Sequence, residues 1–165
     1  MSYQTGVINE FRGKNYFLSN YYTAPMTWQG TEFHSAEQAF AYAKSFCAMH
    51  AMAETFGAQQ ILDAKTPGEA KALGKKLAIS VDEWDARKVM YMREIVHAKF
   101  LTAVGLAGML VNTGAQMLVE GNDWGDTFWG RCKNSESRWV GLNTLGVILM
   151  EERGWWSRSD KGRPT

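Results

Sequence analysis

The chain has 165 residues, a length that favours one domain with a core large enough to be stable without disulfides. Its 18 Lys and Arg residues balance 17 Asp and Glu residues, and the net charge of +1 argues against a general nucleic-acid binder. The 45% hydrophobic and 21% charged fractions are those of an ordinary globular protein, but the 13% aromatic fraction exceeds what such a core needs.

No targeting or membrane-spanning segment is evident. The chain contains no apolar stretch of 18 residues, and no apolar run follows a basic patch near its start. We therefore expect a soluble, cytoplasmic protein with no membrane partner. The two cysteines do not form a disulfide framework, and the apolar helical pattern around Cys47 predicts a buried free thiol.

The first segment predicts a small antiparallel sheet. Three short runs of aromatic and β-branched residues surround the turn formers Gln29 and Gly30, and they are predicted as strands: Val7–Phe11, Tyr22–Thr23 and Met26–Trp28. No linker divides the chain, so we predict a single domain over residues 1–165, with its core in about 7–153 and a polar tail at 154–165.

Helical patterns dominate the remainder of the chain. Three starts carry capping signals, at Ser35, Thr66 and Ser80. The predicted helices run from Ser35 to about Ala51, Ala53 to Ala64, Thr66 to about Lys76, Ser80 to about Thr102, Leu106 to Val111, and Val147 to about Arg153. The predicted fold class is α+β, predominantly helical, with the sheet near the N-terminus.

The segment Leu118–Gly130 carries the strongest chemical signal. It combines three carboxylates with three aromatic side chains, punctuated by glycines: Glu120, Asp123, Asp126, Trp124, Phe128 and Trp129. The glycines disfavour a long helix or strand and favour a bent loop. Carboxylates beside aromatic rings suit cleavage of a base from a sugar, where positive charge develops on the sugar carbon. A solvated acidic turn is the alternative, but such turns rarely carry so many aromatic residues.

Glu37 and Lys44 are seven residues apart and share one face of the helix that starts at Ser35. An apolar face would raise the pKa of Glu37 by desolvation and suit it to proton transfer. A favourable charge at the helix N-terminus is an equally good explanation. Trp84 could stack on a base or anchor the core. Lys71, Lys75 and Lys76 are predicted to form a solvated helix face.

The first segment also offers Arg12 and Asn20 for phosphate and ribose contacts. Other chemistries lack their motifs. The three histidines are scattered, no CxxC or HExxH spacing is present, and no GxGxxG or Walker loop appears. We therefore predict no metal and no cofactor, and carboxylate chemistry on an aromatic-lined site.

Taken in order, these motifs closely resemble the YbiA-like, or NADAR, family over about residues 7–153. The resemblance rests on Phe11–Gly13, Phe17–Asn20, Ser35–Glu37 through Lys44, Pro67–Gly74, Trp84 with Val89–Met90, Ala98–Phe100, Leu118–Gly130 and Gly141–Met150. It implies a compact, mainly helical α+β domain that cleaves N-glycosidic bonds in ribosylated or ADP-ribosylated compounds. The implied substrates are ribosylaminopyrimidine phosphates of riboflavin synthesis, or ADP-ribose on a base such as guanine in nucleic acid.

The resemblance also implies site residues. The helix glutamate falls on Glu37 and the acidic residue before the Phe-Trp-Gly motif on Asp126, and these two are the predicted catalytic residues. The predicted substrate-binding residues are Arg12, Phe17, Asn20, Lys44, Trp84, Glu120, Trp124, Trp129 and Asn143.

Departures from the family pattern bear on substrate choice. Many members have Glu-His-x-Tyr-Gln where this chain has Glu37–Ala41, and some follow Trp-Gly with Asp-Gly where it has Arg131 and Cys132. The segment Lys133–Trp139 is also a longer loop than the usual glycine-rich link.

We expect an N-glycosidase acting on a small nucleotide or an ADP-ribosylated base. The alternative is a non-catalytic module that binds ADP-ribose or NAD, although such a module gains little from carboxylates near the sugar. A weaker hypothesis is single-strand nucleic-acid binding through stacked aromatics. The net charge of +1 opposes that as the main role, though the substrate could be carried on nucleic acid.

Overall fold

The computed structural model, which describes residues 6–103 and 105–159, has the predicted α+β class with helices dominant. The chain packs as two units. The central unit is Asn20–Ala103, and the terminal unit comprises the described residues of Met1–Ser19 and Val104–Thr165. The prediction of one domain over the whole chain is not tested by the packing inside either unit and stays a prediction.

A β-hairpin opens the central unit. Strand β2 (Thr23–Trp28) pairs antiparallel with β3 (Thr31–Ser35). The turn residues Gln29 and Gly30 both have positive φ, 49° and 78°, as a two-residue hairpin turn requires. The predicted turn is confirmed, and the two strands predicted before it are one strand with a register irregularity between Thr23 and Met26.

Helices complete the central unit. They are α1 (Ala36–Ala43), a 3₁₀ turn (Lys44–Cys47), a π-helical turn (Ala53–Gly57), α2 (Ala58–Asp63), α3 (Pro67–Gly74) and α4 (Val81–Thr102). The predicted caps are confirmed, because the hydroxyls of Ser35, Thr66 and Ser80 each accept a backbone N–H three residues on. The prediction of one helix from Ser35 to Ala51 is wrong, since the α-helix ends at Ala43 and tightens into the 3₁₀ turn.

The core of the central unit lies between the hairpin, α1 and α4. Small residues of α1 let the neighbouring elements approach closely, and the buried set is Met26, Trp28, Phe33, Ala36, Ala39, Ala43, Cys47, Tyr91, Ile95 and Ala98. A Cβ added to Gly74 of α3 would lie 3.0 Å from the Cβ of Ala41, so these two helices also pack tightly. Cys47 is the buried free thiol that was predicted.

The terminal unit contains a short parallel pair, β1 (Val7–Ile8) with β4 (Met117–Leu118). Placing Val7–Phe11 in the antiparallel sheet was therefore wrong. The backbone of β1 bonds instead to the segment that enters the acidic-aromatic loop, with the N–H of Val119 donating to the Ile8 carbonyl at 2.8 Å. A short strand carries no signal for the partner it takes from the far end of the chain.

The other elements of this unit are a 3₁₀ helix (Gly13–Leu18), α5 (Leu106–Val111), the hairpin of β5 (Cys132–Lys133) and β6 (Trp139–Val140), and α6 (Thr144–Ser159). The last helix was predicted to end at about Arg153, and this end is wrong because residues 154–159 continue α6. There the indole N–H of Trp156 donates to Glu152 at 2.7 Å, one turn earlier. None of the described helices has both the length and the apolar composition needed to cross a membrane.

Candidate functional site

The predicted site residues divide between the two units. The central unit holds Asn20, Glu37, Lys44 and Trp84, and the terminal unit holds Arg12, Phe17, Glu120, Trp124, Asp126, Trp129 and Asn143. Each group is described within its own unit.

Glu37 lies in the first turn of α1 and is 9% exposed. Its backbone N–H donates to the carbonyl of Asn20 at 2.9 Å, and the Ser35 cap fixes the start of the helix around it. Ala36 and Ala39 are fully buried, so α1 is held against the core with little room to shift. The sequence therefore places a carboxyl group in a protected, rigid position.

Three lysines surround this carboxyl group. Lys71 of α3 places its Nζ 3.9 Å from Glu37 Oε1. Burial raises the pKa of Glu37, and the positive charges of Lys71, Lys44 and Lys75 act in the opposite direction without cancelling the effect of burial. The Lys71 side chain is 41% exposed, as the predicted solvated face requires, and its contact with Glu37 was not predicted. Only the packing of α3 against α1, not the helical pattern of α3, brings it to Glu37.

Lys44 follows α1 directly, two turns after Glu37. Burial lowers the pKa of the Lys44 ammonium, and the charge of Glu37 opposes that shift. The pair therefore consists of an acid whose pKa is raised and a base whose pKa is lowered. Both shifts bring the groups closer to neutral pH, where proton transfer is most effective.

Trp84 forms a half-buried wall beside Lys44. The Lys44 Nζ lies 5.6 Å from the Trp84 ring centroid, and the Phe40 ring packs against the same indole at 4.9 Å. Trp84 also packs on the core cluster. Both functions considered for this residue, stacking surface and core anchor, fit a side chain with one face on the core and a cation nearby.

Asn20 contributes a buried amide next to this group. Its Nδ2 donates to Met92 Sδ at 3.4 Å, while its buried Oδ1 has no hydrogen-bond partner among the described residues. An unsatisfied buried acceptor costs about 1–3 kcal/mol. A donor on a ligand, such as a ribose hydroxyl, would satisfy this oxygen.

In the terminal unit, Asp126 is anchored by the backbone of its own loop. Its Oδ1 accepts the N–H groups of Phe128 at 3.0 Å and Trp129 at 2.9 Å. Asn122 brackets the same turn, with its Nδ2 donating to the Asp126 carbonyl at 2.8 Å and its Oδ1 accepting the Asp126 N–H at 2.9 Å. Asn122 was not predicted, although an Asn four residues before an Asp in a glycine-rich loop signals such a turn.

The side chain of Asn143 fixes the backbone at the start of this loop. It is 1% exposed and in the left-handed region, with φ of 57°. Its Oδ1 accepts the N–H of Glu120 at 3.0 Å and its Nδ2 donates to the Leu118 carbonyl at 2.8 Å. With both amide groups bonded to backbone, Asn143 is better described as a positioning residue than as the predicted substrate contact. Glu120, whose backbone it holds, is half-buried.

The aromatic residues differ in how far their side chains are exposed to solvent. Trp124 is 61% exposed, and Trp129 is half-buried, with its ring at 5.0 Å from that of Phe128 in an edge-to-face arrangement. Phe17 is only 4% exposed and belongs to the core, and its predicted role in substrate binding stays a prediction. A pattern of aromatic residues does not distinguish a core ring from an accessible one.

Arg12 is exposed at the N-cap of the 3₁₀ helix Gly13–Leu18. It lines a cavity of about 540 Å³ in the terminal unit, together with Asn9, Glu10, Gly121, Asn122, Asp123, Gly125, Cys132, Lys133 and Trp139. Among residues 6–103 and 105–159, no group of three or more His, Cys, Asp or Glu side chains could hold a metal ion. The absence of a cofactor stays a prediction.

A solved structure that resembles this chain is the NMR structure of the E. coli protein YbiA. The likeness covers 100% of this chain and 92% of that one with a TM-score of 0.77. The sequence identity is 22%, so the comparison shows a shared fold.

Sequence relatives include an N-glycosidase of Nostoc punctiforme, Npun_R5314, 43% identical over 91 residues, which are 54% of this chain and 55% of that protein. N-glycosidase YbiA of Shigella boydii is 32% identical over 59% of this chain and 64% of its own length. The riboflavin biosynthesis protein VVA0006 of Vibrio vulnificus is 30% identical over 83% of this chain but 34% of its own length. The matches thus span about half of the first relative and at most 64% of these three.

The sequence model of the NADAR domain matches residues 8–155. This range includes Glu37 with its three neighbouring lysines and the whole Leu118–Gly130 loop. This range is most of the chain. The chain belongs to the NADAR domain family.

Proposed function

We propose that this protein is an N-glycosidase that hydrolyses the bond between ribose C1′ and a nitrogen of the attached base. The observation that carries the proposal is the buried Glu37 carboxyl group, whose pKa is raised by burial although Lys71 lies 3.9 Å away. Because burial raises the pKa of Glu37, this carboxyl group keeps its proton to a higher pH than an exposed carboxyl group does and can donate it to a leaving nitrogen. The N-glycosidase names of two relatives support the same activity.

The proposed reaction is a hydrolysis in which one bond breaks and one forms. The C1′–N bond breaks, its electron pair goes to the base nitrogen, and that nitrogen takes up a proton. The oxygen of water bonds to C1′ and loses a proton to a carboxylate. Positive charge develops on the sugar ring along the way, as in other glycoside hydrolyses. Glu37 and Asp126 are the proposed catalytic pair: one protonates the leaving base, and the other receives the proton from water and stabilises the charge on the sugar.

The binding roles follow from the contacts within each unit. Trp84 offers its indole face to the base, and Lys44 beside it carries charge for a phosphate oxygen. The buried Oδ1 of Asn20 would accept a ribose hydroxyl. In the terminal unit, Trp124 is an exposed ring and Trp129 a half-buried one, Glu120 is held by Asn143, and Arg12 is an exposed cation. These are proposed substrate contacts.

Two substrate classes fit this chemistry. Ribosylaminopyrimidine phosphates are suggested by relatives named as riboflavin biosynthesis proteins, one of Arabidopsis thaliana and one of Vibrio vulnificus. ADP-ribose attached to a base, free or on nucleic acid, presents the same C1′–N bond. The pyrimidine phosphates require a pocket for one phosphate only, whereas an ADP-ribosylated base brings a second nucleotide.

The test is a screen of purified protein against both classes, with released base and ribose measured by mass spectrometry. Multiple turnovers on either class, lost in Glu37→Gln, support the proposal. Binding of an ADP-ribosylated base without release over many equivalents would replace it with a non-catalytic ADP-ribose or NAD reader. No turnover and no binding across both classes would overturn both interpretations.

A further inference from the structure

Apart from Arg12, the residues that line the cavity of about 540 Å³ in the terminal unit have no role in the proposed hydrolysis. Its walls come from three separate segments: the chain around Asn9–Arg12, the loop residues Gly121–Gly125, and the β5–β6 hairpin. The volume is in the range of small-ligand pockets. The hairpin wall consists of Cys132, Lys133 and Trp139.

The hairpin presents an accessible indole beside a cation. Lys133 and Trp139 are directly opposite in the β5–β6 pair, with Lys133 Nζ at 5.7 Å from the indole ring, and Trp139 is 42% exposed. The turn is fixed by Asn134, whose Oδ1 accepts the N–H groups of Glu136 at 3.0 Å and Arg138 at 2.9 Å. The indole is therefore held at the cavity by an ordered hairpin.

Gly121 shows how closely the walls meet. A Cβ added there would lie 2.1 Å from the carbonyl oxygen of Asn9 and 3.1 Å from Cη2 of Trp139. The loop, the N-terminal segment and the hairpin converge at this point, and only glycine allows it. The cavity is open to solvent and lies where these three segments converge.

The charges of the lining residues are balanced. Arg12 and Lys133 are cationic, and Glu10 and Asp123 are anionic. A cavity of this kind does not suit a long polyanion, whose phosphates would meet the two carboxylates. It suits a ligand that carries one phosphate, an aromatic ring and hydroxyl or amino donors.

We propose that this cavity binds a nucleoside monophosphate group. The base stacks on Trp139, the phosphate lies against Arg12 and Lys133, and the carboxylates of Glu10 and Asp123 accept hydrogen bonds from ribose hydroxyls or from an exocyclic amine. This binding is independent of bond cleavage. Its use to select substrates that carry a second nucleotide rests on the proposed N-glycosidase function.

Cys132 makes the proposal testable without an activity assay. It is a half-buried free thiol in the cavity wall, while the other thiol, Cys47, is buried and serves as an internal control. The experiment measures the rate of Cys132 alkylation by iodoacetamide, by peptide mass spectrometry of the full chain. The probes are 5′-AMP, ribose 5-phosphate and adenosine.

A dose of 5′-AMP about ten-fold above the half-protecting dose should slow Cys132 alkylation about ten-fold, since only unliganded protein reacts. Ribose 5-phosphate, which lacks the base, and adenosine, which lacks the phosphate, should protect only at higher doses. Lys133→Met and Trp139→Leu should raise the half-protecting dose of 5′-AMP. Arg138→Met, in the same hairpin but outside the cavity lining, is the matched control and should retain protection.

The proposal is overturned if millimolar 5′-AMP leaves the wild-type alkylation rate unchanged, or if ribose 5-phosphate protects as well as 5′-AMP. It is also overturned if Trp139→Leu, folded by circular dichroism, keeps full protection. Glu37→Gln should retain full protection by 5′-AMP, since the assay does not depend on turnover. Loss of hydrolysis and loss of nucleotide binding are therefore separately observable.

Discussion

The two proposed catalytic carboxyl groups are held in opposite ways. Glu37 lies on a regular helix, and within the described part of the chain no hydrogen bond fixes its side chain. Its carboxyl group is buried and lies near the positive charges of three lysines. Asp126 lies in an irregular loop, and two backbone N–H groups fix its Oδ1. The surroundings of Glu37 shift its pKa, whereas the hydrogen bonds to Asp126 fix the orientation of its carboxylate.

This difference teaches what each region can supply to a reaction. A buried carboxyl group with a raised pKa is suited to give and take a proton. A carboxylate held by backbone donors is suited to keep a charge at a fixed point, where it can stabilise a positive sugar carbon. The comparison favours Glu37 as the proton donor and Asp126 as the charge stabiliser, and the following variants test it.

Glu37→Gln should have the largest effect. It keeps the size and burial of the side chain but removes the transferable proton, so turnover should fall by roughly 10²–10⁴. The matched control is Glu83→Gln, because Glu83 also lies in the first turn of its helix but is exposed. Turnover is measured as base released per enzyme. Wild-type turnover in folded Glu37→Gln would remove this residue from the chemistry.

Asp126→Asn and Asp126→Ala separate charge from loop geometry. The Asn side chain keeps an oxygen for the N–H groups of Phe128 and Trp129, so Asp126→Asn should lose about 10²–10³ in turnover with nearly unchanged stability. Asp126→Ala should also lose about 1–3 kcal/mol in the free energy of unfolding, from the unpaired amides. Urea titration and turnover are measured on both. Equal turnover of wild type and Asp126→Asn would leave Asp126 with only a structural role.

Asn143 tests whether the loop depends on a positioning residue. Asn143→Ala removes both side-chain hydrogen bonds of this residue and leaves an alanine at a φ of 57°. About 2–4 kcal/mol of unfolding free energy should be lost. Asn143→Gly accepts this φ and should lose about 1 kcal/mol less. Identical losses in the two variants would show that the backbone conformation carries no strain for alanine here.

The sequence was a good guide where structure is local. The caps at Ser35, Thr66 and Ser80 and the turn at Gln29 depend on residues within a few positions, and all were predicted. The failures involve partners that are distant in sequence. Val7–Ile8 pairs with a strand more than 100 residues later, and Lys71 reaches Glu37 from another helix.

The site shows the same division. The acidic-aromatic loop was recognisable from its composition, and Glu37 was recognisable from its helical face. The hydrogen bonds that turn Asn143 toward the backbone of Glu120, and the burial of Phe17, follow from packing that no local pattern encodes.

Lys71→Met should move the pH profile rather than abolish turnover. The charge of Lys71 lowers the pKa of Glu37, so its removal should raise that pKa further. The limb of the turnover profile that reports Glu37 should shift to higher pH. Lys76→Met, on the turn after the same helix, is the control because Lys76 is exposed and does not act on Glu37. An unshifted limb in Lys71→Met would mean that the limb belongs to another group.

The smallest effect should be on stability, and its sign follows from burial. The folded state raises the pKa of Glu37, so it binds more protons at this group than the unfolded chain does above the unfolded pKa. The contribution of Glu37 to stability is therefore complete below the ordinary carboxyl pKa of 4.5 and is lost as the pH rises through the folded pKa. The melting temperature of wild type relative to Glu37→Gln should fall as the pH rises above 4.5.

Lys44, whose pKa burial lowers, acts with the opposite sign, because the unfolded chain binds the extra proton and stability rises with pH up to the ordinary lysine pKa of 10.5. A wild-type minus Lys44→Met difference that rises over the alkaline range, beside a Glu37 difference that falls over the acidic range, would identify both groups as buried titrating partners. Differences that stay flat over both ranges would contradict the contrast drawn between the helix carboxyl group and the loop carboxylate.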